Sequence, residues 1–283
     1  MKTFIQSIVF CTLICAFTTI GLGQKMKAED VIAKHLDSIG TAEARSAAKT
    51  YIAVGTGTAQ FKSTKDQVLQ GRIVFASAGI NNFLGMNMNS NFYTGETFAY
   101  HGSDSYIGFV NLSARSVLGN FVQSNNTILS DGLFAGTLST SWALTRLAQS
   151  KAKVSFDGLK KIDGKELYAL GYSRKNGGDI EVVMFFDKET FRHVRTEYKR
   201  VSSAAIGLRP EDSSKFSETR YKVVEDFADF KAEGGLMLPH GYRIFYSTTG
   251  GQGTTDIEWN FVISEFAANQ KLDPSTFAAP SKK

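Results

Sequence analysis

The sequence predicts a mainly β (α+β) protein built on antiparallel strands, and three observations carry this prediction. After an N-terminal helical segment, the spacing of apolar residues changes from a helical period to a period of two. Segments with this alternation are then separated by turns rich in Gly, Asn, Ser and Asp. Residues 111–150 interrupt the alternation and have helical spacing instead. The expected order is therefore a helix, five strands, a helical insertion and six strands.

The first element predicted is a helix over residues 28–40, AEDVIAKHLDSIG. Its apolar side recurs at i, i+3 and i+4 spacing, acidic residues lie in its first turn, and Gly40 ends it. The members of that side are Val31, Ile32, His35, Leu36 and Ile39.

The strands are predicted in two groups, one on each side of the insertion. In the last of them, Ile257, Trp259, Phe261 and Ile263 alternate with polar residues, which is typical of a strand with one apolar face and one face in water. The first group comprises 49–61, 69–77, 81–89, 92–100 and 104–110, and the second comprises 166–173, 179–187, 191–200, 217–227, 240–248 and 255–266.

The insertion contains two segments with helical spacing, SARSVLGNFV (113–122) and STSWALTRLAQ (139–149). Between them lies QSNNTILSDGLFAGTL, which is rich in small and turn-forming residues. A second irregular segment, 201–215, is predicted to be a polar loop within the second group of strands.

The N-terminus has the layout of a secretory signal peptide. Lys2 precedes a mostly apolar stretch of about 17 residues, and Gly21-Leu22-Gly23 provides a small-x-small cleavage site. We therefore expect residues 1–23 to be removed during export and residues 24–283 to form a single domain. Cys11 and Cys15 are the only cysteines, so the mature chain would have no disulfide.

The pattern of reactive residues favours binding over catalysis. The four histidines have no metal-ligand spacing, although folding could bring His101 and His193 together from adjacent strands. The acidic set Glu225, Asp226 and Asp229 is predicted to be a solvated strand end. Basic residues are scattered, so the net charge of +5 does not indicate nucleic-acid binding. We predict no enzyme, no metal and no cofactor.

The C-terminal part of the chain carries a family resemblance. The segments DFADFKAEGGLMLPHGYRIFYS and IEWNFVISEFAANQKLDPSTFAAP resemble the C-terminal half of the LolA-like outer-membrane lipoprotein carriers. GKELYALGYS and IEVVMFFDKETFRHVRTEY resemble the central hairpins of the same family. The resemblance implies a curved antiparallel half-barrel with helices packed on its concave face, where an apolar hollow accepts acyl chains.

The implied function is a periplasmic carrier of lipid or lipoprotein acyl chains that acts in outer-membrane biogenesis as a monomer and in contact with inner- or outer-membrane proteins. Alternation along the strands then nominates residues that line the hollow, and two arginines of the insertion are nominated for head-group contact. The lining residues are Phe121, Leu133, Phe134, Trp142, Leu147, Val182, Met184, Phe186, Tyr242, Ile244, Trp259 and Phe261, and the arginines are Arg115 and Arg146.

Two alternatives stay open at this stage. The first is a sensor or scaffold of the same fold that transports nothing and binds an envelope protein. The second is a hydrolase whose site is assembled from residues distant in sequence.

Overall fold

A computed structural model describes residues 26–62, 67–110, 114–174, 178–203, 217–251 and 253–279 of the chain. The predicted signal peptide and most of the predicted loop 201–215 lie outside these ranges. Within them, no helix has the length and apolar character needed to cross a membrane.

Twelve strands form one antiparallel sheet in the order β5-β4-β3-β2-β1-β12-β11-β10-β9-β8-β7-β6. The two groups of strands predicted from sequence are thus joined by the pairing of β1 with β12. The strands are β1 (Thr50–Phe61), β2 (Gln67–Ala78), β3 (Asn81–Met88), β4 (Thr97–His101), β5 (Asp104–Ile107), β6 (Lys153–Ile162), β7 (Lys165–Ser173), β8 (Ile180–Asp187), β9 (His193–Ser202), β10 (Thr219–Glu233), β11 (Leu236–Gly250) and β12 (Gly253–Ala268).

Within the described ranges, the helices are short and lie before β1, between β5 and β6, and after β12. The α-helices are α1 (Ala28–Ile39), α2 (Ala42–Ala47), α3 (Val117–Ser124), α4 (Thr127–Ser130) and α5 (Leu147–Ser150). Three 3-10 helices span Gly136–Leu138, Ala143–Arg146 and Pro274–Phe277.

The sheet is strongly curved, as its contacts with the insertion show. Asn82 of β3 donates hydrogen bonds to Leu129 and Ser141, and Tyr172 of β7 donates one to Asp131. In a flat sheet β3 and β7 would lie about 38 Å apart, since eight strand spacings of about 4.8 Å separate them. Leu129 and Asp131 are only two residues apart and span at most about 7 Å. The sheet therefore curls around the insertion, and the mainly β half-barrel prediction is confirmed.

The two faces of the half-barrel differ in chemistry. Cross-strand pairing aligns apolar rows on the concave face, for example Phe227, Tyr242 and Phe261. The convex face carries a ladder of ion pairs, in which Arg195 and Arg243 share Asp226 at 2.6 Å each. Most strands thus place their apolar side toward the insertion and their polar side toward solvent, whereas β7 and β8 also bury Leu167, Ala169 and Phe185 in a small cluster on the other face.

The sequence analysis missed strand β6, helix α2 and the short helices Thr127–Ser130, Gly136–Leu138 and Pro274–Phe277. Strand β6 has a register shift between Phe156 and Leu159, which breaks the alternation that would have identified it. Helix α2 is only six residues long, too short for a periodic signal, and is capped by the Thr41 hydroxyl accepting from the Ala44 N–H at 3.2 Å.

Many predicted segments have different boundaries; for example, the predicted strand 217–227 is β10, Thr219–Glu233. Strand β4 starts at Thr97 and not at 92, and β5 ends at Ile107 and not at 110. The predicted helix 139–149 is wrong as one continuous helix. The Thr140 N–H donates to the Ser77 hydroxyl of β2 at 3.0 Å, so helical hydrogen bonding begins only beyond this residue.

Candidate functional site

The concave face is covered by residues 127–146, which we call the plug. Its regular structure is limited to helical pieces of three or four residues. Residues 131–139 are nevertheless all buried, as are residues 141–144. Such short helices are not stable by themselves, so the plug is held by its contacts with the sheet and α1.

One end of the plug is hydrogen-bonded to both arms of the sheet, which we define as strands β1–β5 and strands β6–β12. Asp131 accepts a hydrogen bond from the Tyr172 hydroxyl at 3.1 Å and pairs with Arg174 at 3.2 Å. The Asn82 amide donates to the Leu129 carbonyl at 3.2 Å. These contacts fasten residues close in sequence to strands far apart in the sheet.

The middle of the plug is held by a buried carboxylate. Glu225 accepts hydrogen bonds from the hydroxyls of Tyr198 and Tyr242 at 2.6 and 2.5 Å. It also accepts from the N–H of Ala135 at 2.8 Å, and Ala135 lies in the left-handed region with φ 66°. Burial raises the pKa of Glu225 to about 7, and the three donors only partly offset this effect.

Glu225 therefore gives a pH-dependent contribution to stability. The folded protein holds the Glu225 proton up to about pH 7, whereas the unfolded chain releases it near the ordinary value of 4.5. Between these values the folded state binds more protons, so this contribution is fully present below pH 4.5 and is lost as the pH rises to 7.

We expect Glu225→Gln to remove this dependence, because glutamine does not titrate. The difference in free energy of unfolding, wild type minus variant, should fall as the pH rises from 4.5 to 7, with a slope of at most about 1.4 kcal/mol per pH unit. Urea unfolding of both proteins at several pH values measures it. A difference that stays constant with pH would show that folding does not raise the pKa of Glu225.

The third contact of the plug is an aromatic and histidine cluster. The indole N–H of Trp142 donates to Nε2 of His35 at 3.0 Å, and Nδ1 of His35 lies 3.0 Å from the Phe191 carbonyl. Trp142 also stacks on His193 with ring centroids 4.6 Å apart. Burial lowers the pKa of His35 to about 4, so this histidine is neutral and accepts the indole proton.

The structure corrects two sequence predictions about charged or ligating residues. Glu225 is fully buried, so the set with Asp226 and Asp229 is not a solvated strand end. Alternation could have revealed this, because Glu225 lies between Val223 and Phe227 on the apolar side of β10. His101 and His193 are not on adjacent strands, since β4 and β9 are separated by six others. Among the described residues, no cluster of three or more His, Cys, Asp or Glu could hold a metal.

The nominated lining residues lie in one hydrophobic core. All are buried except Leu147, which is half-buried and packs against the others. The sheet members are Val182, Met184, Phe186, Tyr242, Ile244, Trp259 and Phe261; the plug contributes Leu133, Phe134 and Trp142, α3 contributes Phe121, and α5 contributes Leu147. The cavity between the plug and strands β2–β4, which Phe134 lines, measures only about 10 Å³. The plug thus fills this part of the concave face.

The two nominated arginines lie away from this core. The Arg115 Nε donates to the Ile107 carbonyl at 3.1 Å, and its guanidinium stands 4.4 Å from the centre of the Phe109 ring. Arg146 ends the 3-10 helix Ala143–Arg146 and is partly exposed. Contact of either with a head group stays a prediction.

Comparison with known proteins gives structural similarity only. No protein-family model and no curated protein sequence matches the chain. Among solved structures, a LolA superfamily protein from Nitrosomonas europaea is 13% identical, covers 90% of this chain and 98% of its own, and has a TM-score of 0.46. A DUF1329 family protein from Desulfovibrio piger is 12% identical, with coverages of 88% and 96% and a TM-score of 0.48.

A third solved structure is a putative outer membrane lipoprotein-sorting protein domain from Vibrio parahaemolyticus. It is 13% identical, covers 87% of this chain and 97% of its own, and has a TM-score of 0.41. The resemblance seen in the sequence is thus accompanied by similarity to structures described as LolA superfamily and lipoprotein-sorting proteins. Similarity at this level does not transfer a function to this chain.

Proposed function

We propose that this protein is an exported periplasmic carrier that binds lipid or lipoprotein acyl chains on the concave face of its half-barrel, without catalysis. The observation that carries the proposal is the plug itself, a segment with little regular structure that covers a wide apolar surface. In this proposal the plug occupies the acyl site of the empty carrier, and an acyl chain displaces it.

The contacts of the plug support exchange with a ligand. The plug is held by its buried apolar side chains and a few side-chain hydrogen bonds, such as those of Asn82, Glu225 and His35, and not by pairing with a strand. The apolar rows beneath it extend across both arms of the sheet. Displacing the plug would therefore uncover a trough that matches the chemistry of a hydrocarbon chain.

The energetics of such a carrier require no reactive residue. Burial of each methylene contributes about 0.8 kcal/mol, so ten methylenes contribute about 8 kcal/mol before ordering costs. That gain has to offset the contacts that the plug loses on leaving the sheet. Because the plug competes with lipid for the same site, lipid binding would be reversible. A carrier needs reversible binding in order to release its ligand.

Extraction of the purified protein with organic solvent, followed by mass spectrometry, tests the proposal. We expect co-purifying lipid, and we expect the delipidated protein to take up a fluorescent fatty acid. The proposal fails if the extract contains no lipid and the delipidated protein takes up no fatty acid. The same preparation, analysed from its N-terminus, tests cleavage after Gly23.

The nearly complete filling beneath the plug favours one alternative, a scaffold of the same fold that transports nothing. The remaining 10 Å³ has room for about one water molecule and none for a hydrocarbon chain. A scaffold would capture an envelope protein while failing to take up fatty acid, so the uptake experiment separates the two functions.

A further inference from the structure

A second cavity, of about 300 Å³, lies at the rim of the half-barrel between α3 and the ends of three strands. Its floor is a concave row near the strand ends, in which Arg200 of β9 pairs with Tyr221 of β10, and Tyr221 pairs with Thr248 of β11. Phe121 and Val117 of α3 form the opposite wall. This rim cavity is separate from the volume filled by the plug.

Arg200 is the charged group of the rim cavity. Its Nε is buried and has no hydrogen-bond partner within the described part of the chain. A buried N–H of a charged group without a hydrogen-bond partner destabilises the folded state. A ligand that accepts this hydrogen bond would remove the cost.

The neighbouring cations lie beside acidic side chains. Lys199 and Lys222 both pair with Glu197, at 3.1 and 3.4 Å, and Arg220 pairs with Glu218 at 2.7 Å. For Arg200, the described residues place no carboxylate within 4.0 Å. The cavity therefore presents a cation whose counter-ion the described chain does not supply.

The other walls of the rim cavity combine apolar and aromatic side chains with the polar side chains of Asn120, Ser124 and Thr248. The ring of Phe121 lies 6.2 Å from that of Tyr221 and 6.4 Å from that of Tyr246, centre to centre. Val117 is 38% exposed and lines the same cavity. A small inorganic anion would not use these walls, and a neutral hydrocarbon would not use Arg200.

We infer that the rim cavity binds the anionic head group, a phosphate or carboxylate, of an amphiphile with a single hydrocarbon chain, and that Arg200 contacts the anion. The guanidinium donates its N–H groups to the oxyanion, while Phe121 and Tyr246 contact the first part of the chain. The inference rests on the proposed function, because the next concave row, with Tyr198, Val223 and Tyr246, leads from this cavity toward the plug.

Titration calorimetry with dodecyl phosphate, below its critical micelle concentration, tests the assignment. We expect Arg200→Gln to weaken binding about tenfold or more, since a hydrogen bond to a charged group contributes about 1.5–3 kcal/mol. Arg220→Gln is the matched control. This variant also loses one positive charge, but from an exposed side chain next to Tyr221 on β10. We expect Arg220→Gln to bind dodecyl phosphate as tightly as the wild type does.

A second variant avoids any effect of Arg200 on folding. Val117→Asp places a carboxylate at the first residue of α3, where negative charge is favourable to the helix, and opposite Arg200. We expect this internal carboxylate to compete with the ligand and to weaken dodecyl phosphate binding, while Val117→Ala does not.

Neutral and inorganic probes separate failure of this assignment from failure of the proposed function. Dodecanol should bind the wild type and Arg200→Gln equally, and inorganic phosphate should not displace dodecyl phosphate. Equal binding of dodecyl phosphate to the wild type and Arg200→Gln would overturn the assignment but not the carrier. Displacement by inorganic phosphate at similar concentration would show a simple anion site, and absence of binding by both dodecyl probes would overturn both proposals.

Discussion

We expect Trp142→Ala to lower the free energy of unfolding by about 3–5 kcal/mol, the range for removing a buried aromatic side chain. Trp142 is 1% exposed, stacks on His193 and donates its indole proton to His35. The substitution leaves a cavity and an unpaired histidine nitrogen in the same place. Urea unfolding followed by circular dichroism measures the loss.

The same variant tests the role of the plug. Trp142 joins the plug to β9 and α1, so its loss should loosen the plug and increase uptake of a fluorescent fatty acid. Trp259→Ala is the matched control, because Trp259 is equally buried and donates its indole N–H to the Tyr93 hydroxyl at 2.8 Å, but belongs to the sheet. Equal uptake by both variants would contradict displacement of the plug by the ligand.

We expect the second large effect from Gly132→Ala, a loss of about 3 kcal/mol or more. Gly132 has φ +70°, a conformation that costs alanine about 1 kcal/mol. A Cβ at this position would also stand only 1.8 Å from the carbonyl oxygen of Ser141, which is backbone and cannot rotate away. Relief of this overlap would disrupt the hydrogen bond from the Ala143 N–H to the Gly132 carbonyl that closes the plug.

Gly164→Ala separates the cost of the positive φ from the cost of the steric overlap. Gly164 has φ +82° in the turn between β6 and β7, and a Cβ there meets no atom within 4 Å. Its substitution should therefore cost only about 1 kcal/mol, the conformational part of the Gly132 effect. Similar losses for both variants, measured by urea unfolding, would mean that the plug accommodates the extra methyl group.

The sequence analysis identified the strands best where one face alternates cleanly. The predicted 255–266 became β12, Gly253–Ala268, with Ile257, Trp259, Phe261 and Ile263 all buried. It identified β6 least well, since this edge strand carries a register shift and exposed lysines. Period-two alternation reports burial of one face, so a strand with little burial gives little signal.

The candidate site was less accessible from sequence. The nominated core residues were recognised as apolar, but periodicity does not say whether apolar residues surround a hollow or pack against one another. The partners of Glu225 are Tyr198, Tyr242 and Ala135, which are between 17 and 90 residues away along the chain. Arg200 was missed because its surroundings depend on the packing of α3 against β10 and β11.

The sequence by itself determined the helix before the sheet, most of the strands and the break formed by residues 111–150, because these depend on local period and turn residues. Only the tertiary structure decided that the sheet curls around the plug and that Glu225 and Trp142 hold it there. These features depend on contacts between residues far apart in sequence. Such contacts form only once the strands are in register and the plug is packed on the apolar face of the sheet.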